Sequence, residues 1–135
     1  MIQRVQTLWL IVVIICGVLS LKLSFYSGIY ENNQYYMLTA ANNTPVLITT
    51  LVAVMLAVVS IFLYKERKKQ LLFCVIGTLI SVLSLVLYFL QIKNFIRGTF
   101  DISCLFSIAM PVFYIMAITG VYKDAKLIKK MNQLR

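Results

Sequence analysis

The chain has 135 residues, 61% of them hydrophobic and 13% charged, with no histidine and a net charge of +9. A typical soluble domain is about 45–50% apolar and about 25% charged, so a soluble core of this length could not hide so many apolar side chains. These figures exclude a soluble enzyme, a disordered tail and a disulfide scaffold, and the length allows one domain, residues 1–135.

Four segments reach the roughly 20 apolar residues that a bilayer-crossing helix needs: 5–25, 45–64, 71–91 and 103–122. None contains Asp or Glu, and Lys22 is the only basic residue in any of them. Valine, isoleucine and leucine fall on every helical face, the pattern of a helix that is buried or lies in lipid. A transmembrane β-barrel would instead show alternating segments of about ten residues. The expected fold is an all-α membrane protein, a bundle of four transmembrane helices.

The first span could be taken for a signal peptide, because its unbroken apolar run, Leu8 to Leu21, is short. No A-x-A-like site follows it, and Lys22 can snorkel to an interface, so a retained anchor is expected. The segment 26–44 is the longest connection and sets Tyr30, Tyr35 and Tyr36 among Asn32, Asn33, Asn42 and Asn43. It reads as an aromatic loop on the outer leaflet, with a docking surface as the functional alternative. In the second span Ala53, Ala57, Ser60 and Tyr64 follow helical spacing; in the third, Cys74, Gly77, Ser81, Ser84 and Tyr88 do the same. Such small-residue stripes let membrane helices approach closely, which makes them helix-packing seams. Residues 65–70 form a short hairpin between these two spans.

In the fourth span Pro111 has no N–H for the carbonyl of Ser107, and Tyr114 brings a hydroxyl one turn later. Ser107, Pro111 and Tyr114 form a candidate intramembrane polar spot, read either as a repaired kink or as part of a small site, and the Tyr114 hydroxyl is expected to find a protein partner. Beyond it, the tail 123–135 places Leu127, Ile128, Met131 and Leu134 on one helical face and lysines on the other.

Basic residues near the span ends set orientation. Arg4, Lys65, Arg67, Lys68, Lys69, Lys123, Lys126, Lys129, Lys130 and Arg135 fall on one side, against Lys22, Lys93 and Arg97 on the other. Both termini are therefore expected in the cytoplasm of a bacterial inner-membrane protein. The ten residues form a basic face suited to anionic headgroups. An acidic protein partner, or ribosomal RNA near a translocon, is another reading of the charge; nothing in the pattern reads bases, so no sequence-specific nucleic-acid partner is expected.

No catalytic constellation is present. Histidine is absent, and Glu31, Glu66, Asp101 and Asp124 are the only carboxylates. Glu66 and Asp124 lie among lysines and arginines and read as their local charge partners. Cys16, Cys74 and Cys104 sit at different depths, so they are expected to pack rather than pair or bind metal. The chain is expected to be no enzyme and to hold no cofactor or metal.

Three groups of residues carry a family likeness: the start Met1-Ile2-Gln3-Arg4-Val5-Gln6-Thr7; the hairpin Phe62-Leu63-Tyr64-Lys65-x-Arg67-x-x-Gln70; and Pro111, Ala117, Gly120-Val121, Lys123-Asp124-x-Lys126-Leu127 and Leu134-Arg135. With these the chain resembles a Bacteroidetes family of small four-helix integral membrane proteins known only as a domain of unknown function. The resemblance covers the whole chain and implies its topology and length; it implies no activity. The function expected is that of a non-enzymatic interaction or accessory subunit of a larger membrane complex. The alternative, resting on Pro111, Tyr114 and the hydroxyl stripe, is a component of a transporter or channel for a small or lipophilic solute.

Overall fold

The computed structural model describes residues 2–135, with side chains from Val5 onward. Four helices dominate: α1 (Ile2–Lys22), α2 (Thr44–Phe62), α3 (Arg67–Ile92) and α4 (Cys104–Gln133). All four are long and apolar enough to cross a membrane. Each packs against the next in chain order and α4 closes back on α1, so neighbours run antiparallel in an up-down-up-down ring.

Three strands supplement the helices: β1 (Ser24–Tyr30), β2 (Tyr35–Thr39) and β3 (Phe95–Phe100) form an antiparallel sheet in the order β2-β1-β3. The fold is therefore not all-α, and segment 26–44 is not an irregular loop. The local cause is the sequence of the two connections at this end. Aromatic and aliphatic runs flank Glu31-Asn32-Asn33, and Asn33 takes the left-handed conformation (φ 57°) that closes the β1–β2 turn. The second connection then adds β3 along the other edge of β1, with Gly28 directly opposite Gly98. A Cβ on Gly98 would stand 2.5 Å from the Tyr26 ring, so the glycine is what lets that ring lie across the strand.

Sheet and bundle are joined through a second buried cluster. Phe25 stacks on Tyr88 of α3 with centroids 4.2 Å apart, and Leu38, Ala40 and Val46 complete it. Asp101, between β3 and α4, accepts hydrogen bonds from the hydroxyls of Ser24 and Ser27, while its N–H donates to the Phe25 carbonyl. That carboxylate fastens the end of one connection to the start of the other. The main core lies deeper in the bundle, around Leu10, Val13, Met110, Tyr114 and Ala117.

Helix limits differ from the spans read in the sequence. Residues 63–66 are all that separates α2 from α3, because Arg67 to Gln70 already form the first turn of α3. The larger difference is α4. It runs 30 residues without a break, about 45 Å at 1.5 Å per residue, where a bilayer core is about 30 Å thick. The amphipathic tail is thus no separate element; it continues the fourth helix. After Gly120 the sequence offers no glycine or proline to end the helix, and its Ala, Lys, Leu and Met residues favour continuation.

Candidate functional site

All of the predicted seam residues but Tyr64, which is exposed beyond the end of α2, lie inside the bundle. Ala53, Ala57 and Ser60 are buried on α2, and Gly77, Ser81 and Ser84 on α3. The hydroxyls along these stripes bond within their own helices: Ser60 donates to the Leu56 carbonyl, Thr78 to Cys74, Ser81 to Thr78 and Ser84 to Ser81. Each satisfies itself locally, the usual economy of serine and threonine in apolar helices.

Tyr114 joins two groups of residues that the sequence reading kept apart. Its ring lies against Gly77, where a Cβ would come within 2.7 Å of it. Its hydroxyl passes beyond α3 and donates to the Ala53 carbonyl of α2. One side chain from α4 therefore pins α2 and α3 together, and only glycine at position 77 leaves room for it. Ser107 and Pro111 are buried nearby on α4. Ser107 is matched with a different tyrosine, however: Tyr88, whose buried hydroxyl sits beside it without closing a hydrogen bond. The expected polar spot thus resolves into two tyrosine positions, one on each of α3 and α4.

At the end of the bundle carrying the chain termini, the basic face divides into two classes. Arg67 is not free to meet a ligand: it forms an ion pair with Asp124 at 2.7 Å, with both side chains largely withdrawn from solvent. Lys69 pairs with Glu66 one helical turn away on the surface. Lys65, Lys68, Lys123, Lys126, Lys129, Lys130 and Arg135 are exposed. Arg4 lies outside the described side chains. Leu127, Ile128, Met131 and Leu134 are exposed as well, on the part of α4 that extends past its packing partners. Between that extension and the start of α3 runs an open groove lined by Lys68, Tyr122, Ile128 and Lys129.

Sequence reasoning missed two contacts between α1 and α4. The Gln6 side-chain amide donates to the Gly120 carbonyl across the α1–α4 interface at 2.8 Å, and Trp9 stacks on Phe113 with centroids 5.5 Å apart. The first of these, with the Arg67–Asp124 pair, links the three groups of residues that carry the family likeness: chain start to C-terminal helix, and hairpin to C-terminal helix.

A family model described as "Domain of unknown function (DUF4293)" matches residues 2–134. The chain belongs to this family. No curated protein and no solved structure matches it. Seen in the fold, several of the residues on which the resemblance was read hold the bundle together: Gln6 and Gly120 join α1 to α4, Arg67 and Asp124 join α3 to α4, and Pro111 and Ala117 are buried in the bundle.

Proposed function

We propose that this protein is a non-enzymatic interaction subunit of a bacterial inner membrane, with both termini in the cytoplasm and the sheet on the outer side. The observation that carries the reading is the free end of α4. A helix that outruns a bilayer core by about 15 Å and keeps Leu127, Ile128, Met131 and Leu134 exposed presents an apolar stripe with no partner among the described residues. Its rim is lysine, so the complementary partner is an acidic amphipathic segment of another membrane protein. The lysines nearest the bundle, Lys65, Lys68, Lys123 and Lys126, lie where anionic headgroups would stand, each contributing on the order of 1 kcal/mol, and so fix the depth of the subunit.

The interior supports this reading over transport. Tyr114, Met110 and Leu10 fill the middle of the bundle, and the serine hydroxyls of the α2 and α3 stripes are bound to carbonyls of their own helices. A photo-crosslinking residue at Met131 in living cells tests the proposal. A discrete crosslinked partner, lost when Leu127 and Leu134 are changed to Glu, is expected. Crosslinks only to lipid or to solvent would overturn it.

A further inference from the structure

The sheet end of the molecule carries a cavity that the interaction reading does not use. It has a volume of about 330 Å³ and lies between the β1–β2 hairpin and the facing ends of α2 and α3. Leu38, fully buried, forms its floor. Its walls are aromatic: Tyr30, Tyr36 and Phe95 pack around it with ring centroids 5.4–6.2 Å apart. All three rings are only partly buried, so each keeps some surface open. The remaining lining is made of side-chain amides, Asn32 and Gln34 from the turn, Asn43 from the start of α2 and Gln91 from the end of α3. The Asn43 amide nitrogen is buried there without a hydrogen-bond partner. A buried donor left unpaired costs free energy, which a ligand acceptor would recover once the carboxamide turns toward the cavity.

The lining decides the ligand class. No charged side chain contributes to it, so phosphate and carboxylate groups find no counter-charge. Aromatic faces accept the C–H face of a sugar ring through a flat apolar contact, and a carboxamide offers donor and acceptor together, as vicinal hydroxyls require. The volume is at the small end of the range for ligand pockets, about 300–1,000 Å³, which suits a mono- or disaccharide and is too small for a folded peptide.

We infer that this cavity is a binding site for a neutral saccharide, the sugar ring resting on Tyr36 and Phe95 and its hydroxyls held by Asn43 and Gln91. The saccharide is either free or the headgroup of a glycolipid, because both present the same chemistry at this end of the bundle.

The test uses the full chain in amine-oxide micelles, since glycoside detergents would occupy the site. Saturation-transfer NMR with glucose, galactose, N-acetylglucosamine and maltose is expected to show saturable binding of at least one, weakened at least tenfold by Gln91→Ala and by Tyr36→Leu, and unaffected by inorganic phosphate. Gln34→Ala, on the exposed turn, supplies a variant that spares the core, and it is expected to weaken binding as well. The same protein in nanodiscs containing glucosyl diacylglycerol separates the sources: crosslinking of that lipid to the pocket assigns a headgroup, and its absence beside binding in micelles assigns a free sugar. Binding of none of the four sugars in micelles and of no glycolipid in nanodiscs would overturn the inference, as would equal binding by wild type and all three variants, or competition by phosphate. None of these outcomes bears on the α4 extension, so the two readings stand or fall separately.

Discussion

Tyr114 shows how much can rest on one side chain in a bundle where the interior is apolar and helices are held by fit. Removing its hydroxyl in Tyr114→Phe leaves the Ala53 carbonyl without its inter-helix donor. A loss of about 1 kcal/mol is expected, the scale of membrane inter-helix hydrogen bonds, read as a lower midpoint of thermal unfolding in detergent. Gly77→Ala should cost more, about 1–3 kcal/mol, because its Cβ would meet the tyrosine ring at 2.7 Å and the core must be overpacked to admit it. The two changes touch the same contact, so their effects in the double variant should fall short of the sum. Arg67 and Asp124 make a second local test. Asp124→Ala strands a withdrawn guanidinium, and a loss of about 1.5–3 kcal/mol, the scale of a charged hydrogen bond, is expected by the same measurement. These contacts were half legible in the sequence. The spacing of Ala53, Gly77 and Tyr114 announced close helices and a hydroxyl to satisfy, but spacing cannot say which carbonyl lies across the interface. Nor could it pair Gln6 with Gly120, which are 114 positions apart.

At the scale of elements, the four helices were readable because helices long and apolar enough to cross a membrane announce themselves by that length and uniform apolarity. Their ends were not. Hydropathy marks where grease stops, while a helix stops where its backbone does, and the polar continuation of α4 keeps its backbone helical through Gln133. The sheet was missed for a related reason: its strands are five to seven residues long, and aromatic-rich connections beside a bilayer have a simpler reading as interfacial anchors. The signal was present in the two runs flanking Glu31-Asn32-Asn33, and in glycines 28 and 98, which have a purpose only when two strands meet. The turn gives the expected outcome at this scale. Asn33→Val places a β-branched residue at φ 57°, where a left-handed conformation costs about 1–2 kcal/mol. Asn33→Gly should be tolerated. Protection of the β1 and β2 amides against hydrogen exchange distinguishes the two variants.

For the molecule as a whole, the division of charge is what gives it direction. Most of the exposed lysines gather at the end with the chain termini, and the opposite end, which sets Lys22, Lys93 and Arg97 against Glu31 and Asp101, is closed by an aromatic sheet tied down through Asp101. A fluorescent reporter that matures only in the cytoplasm should light up when fused after Arg135 and stay dark when inserted at Asn32, between β1 and β2. The reverse pattern would overturn the orientation. The central claim, that the free end of α4 is where this subunit meets a partner, is tested most directly by the native mass of the protein extracted in mild detergent from its own membrane. A discrete complex heavier than the 15.4 kDa chain, containing a second protein in fixed ratio and collapsing to the lone chain when Met131 and Leu134 become Glu, is the expected result. A wild-type protein that leaves the membrane as a solitary monomer, with the same mass as the variant, would contradict it.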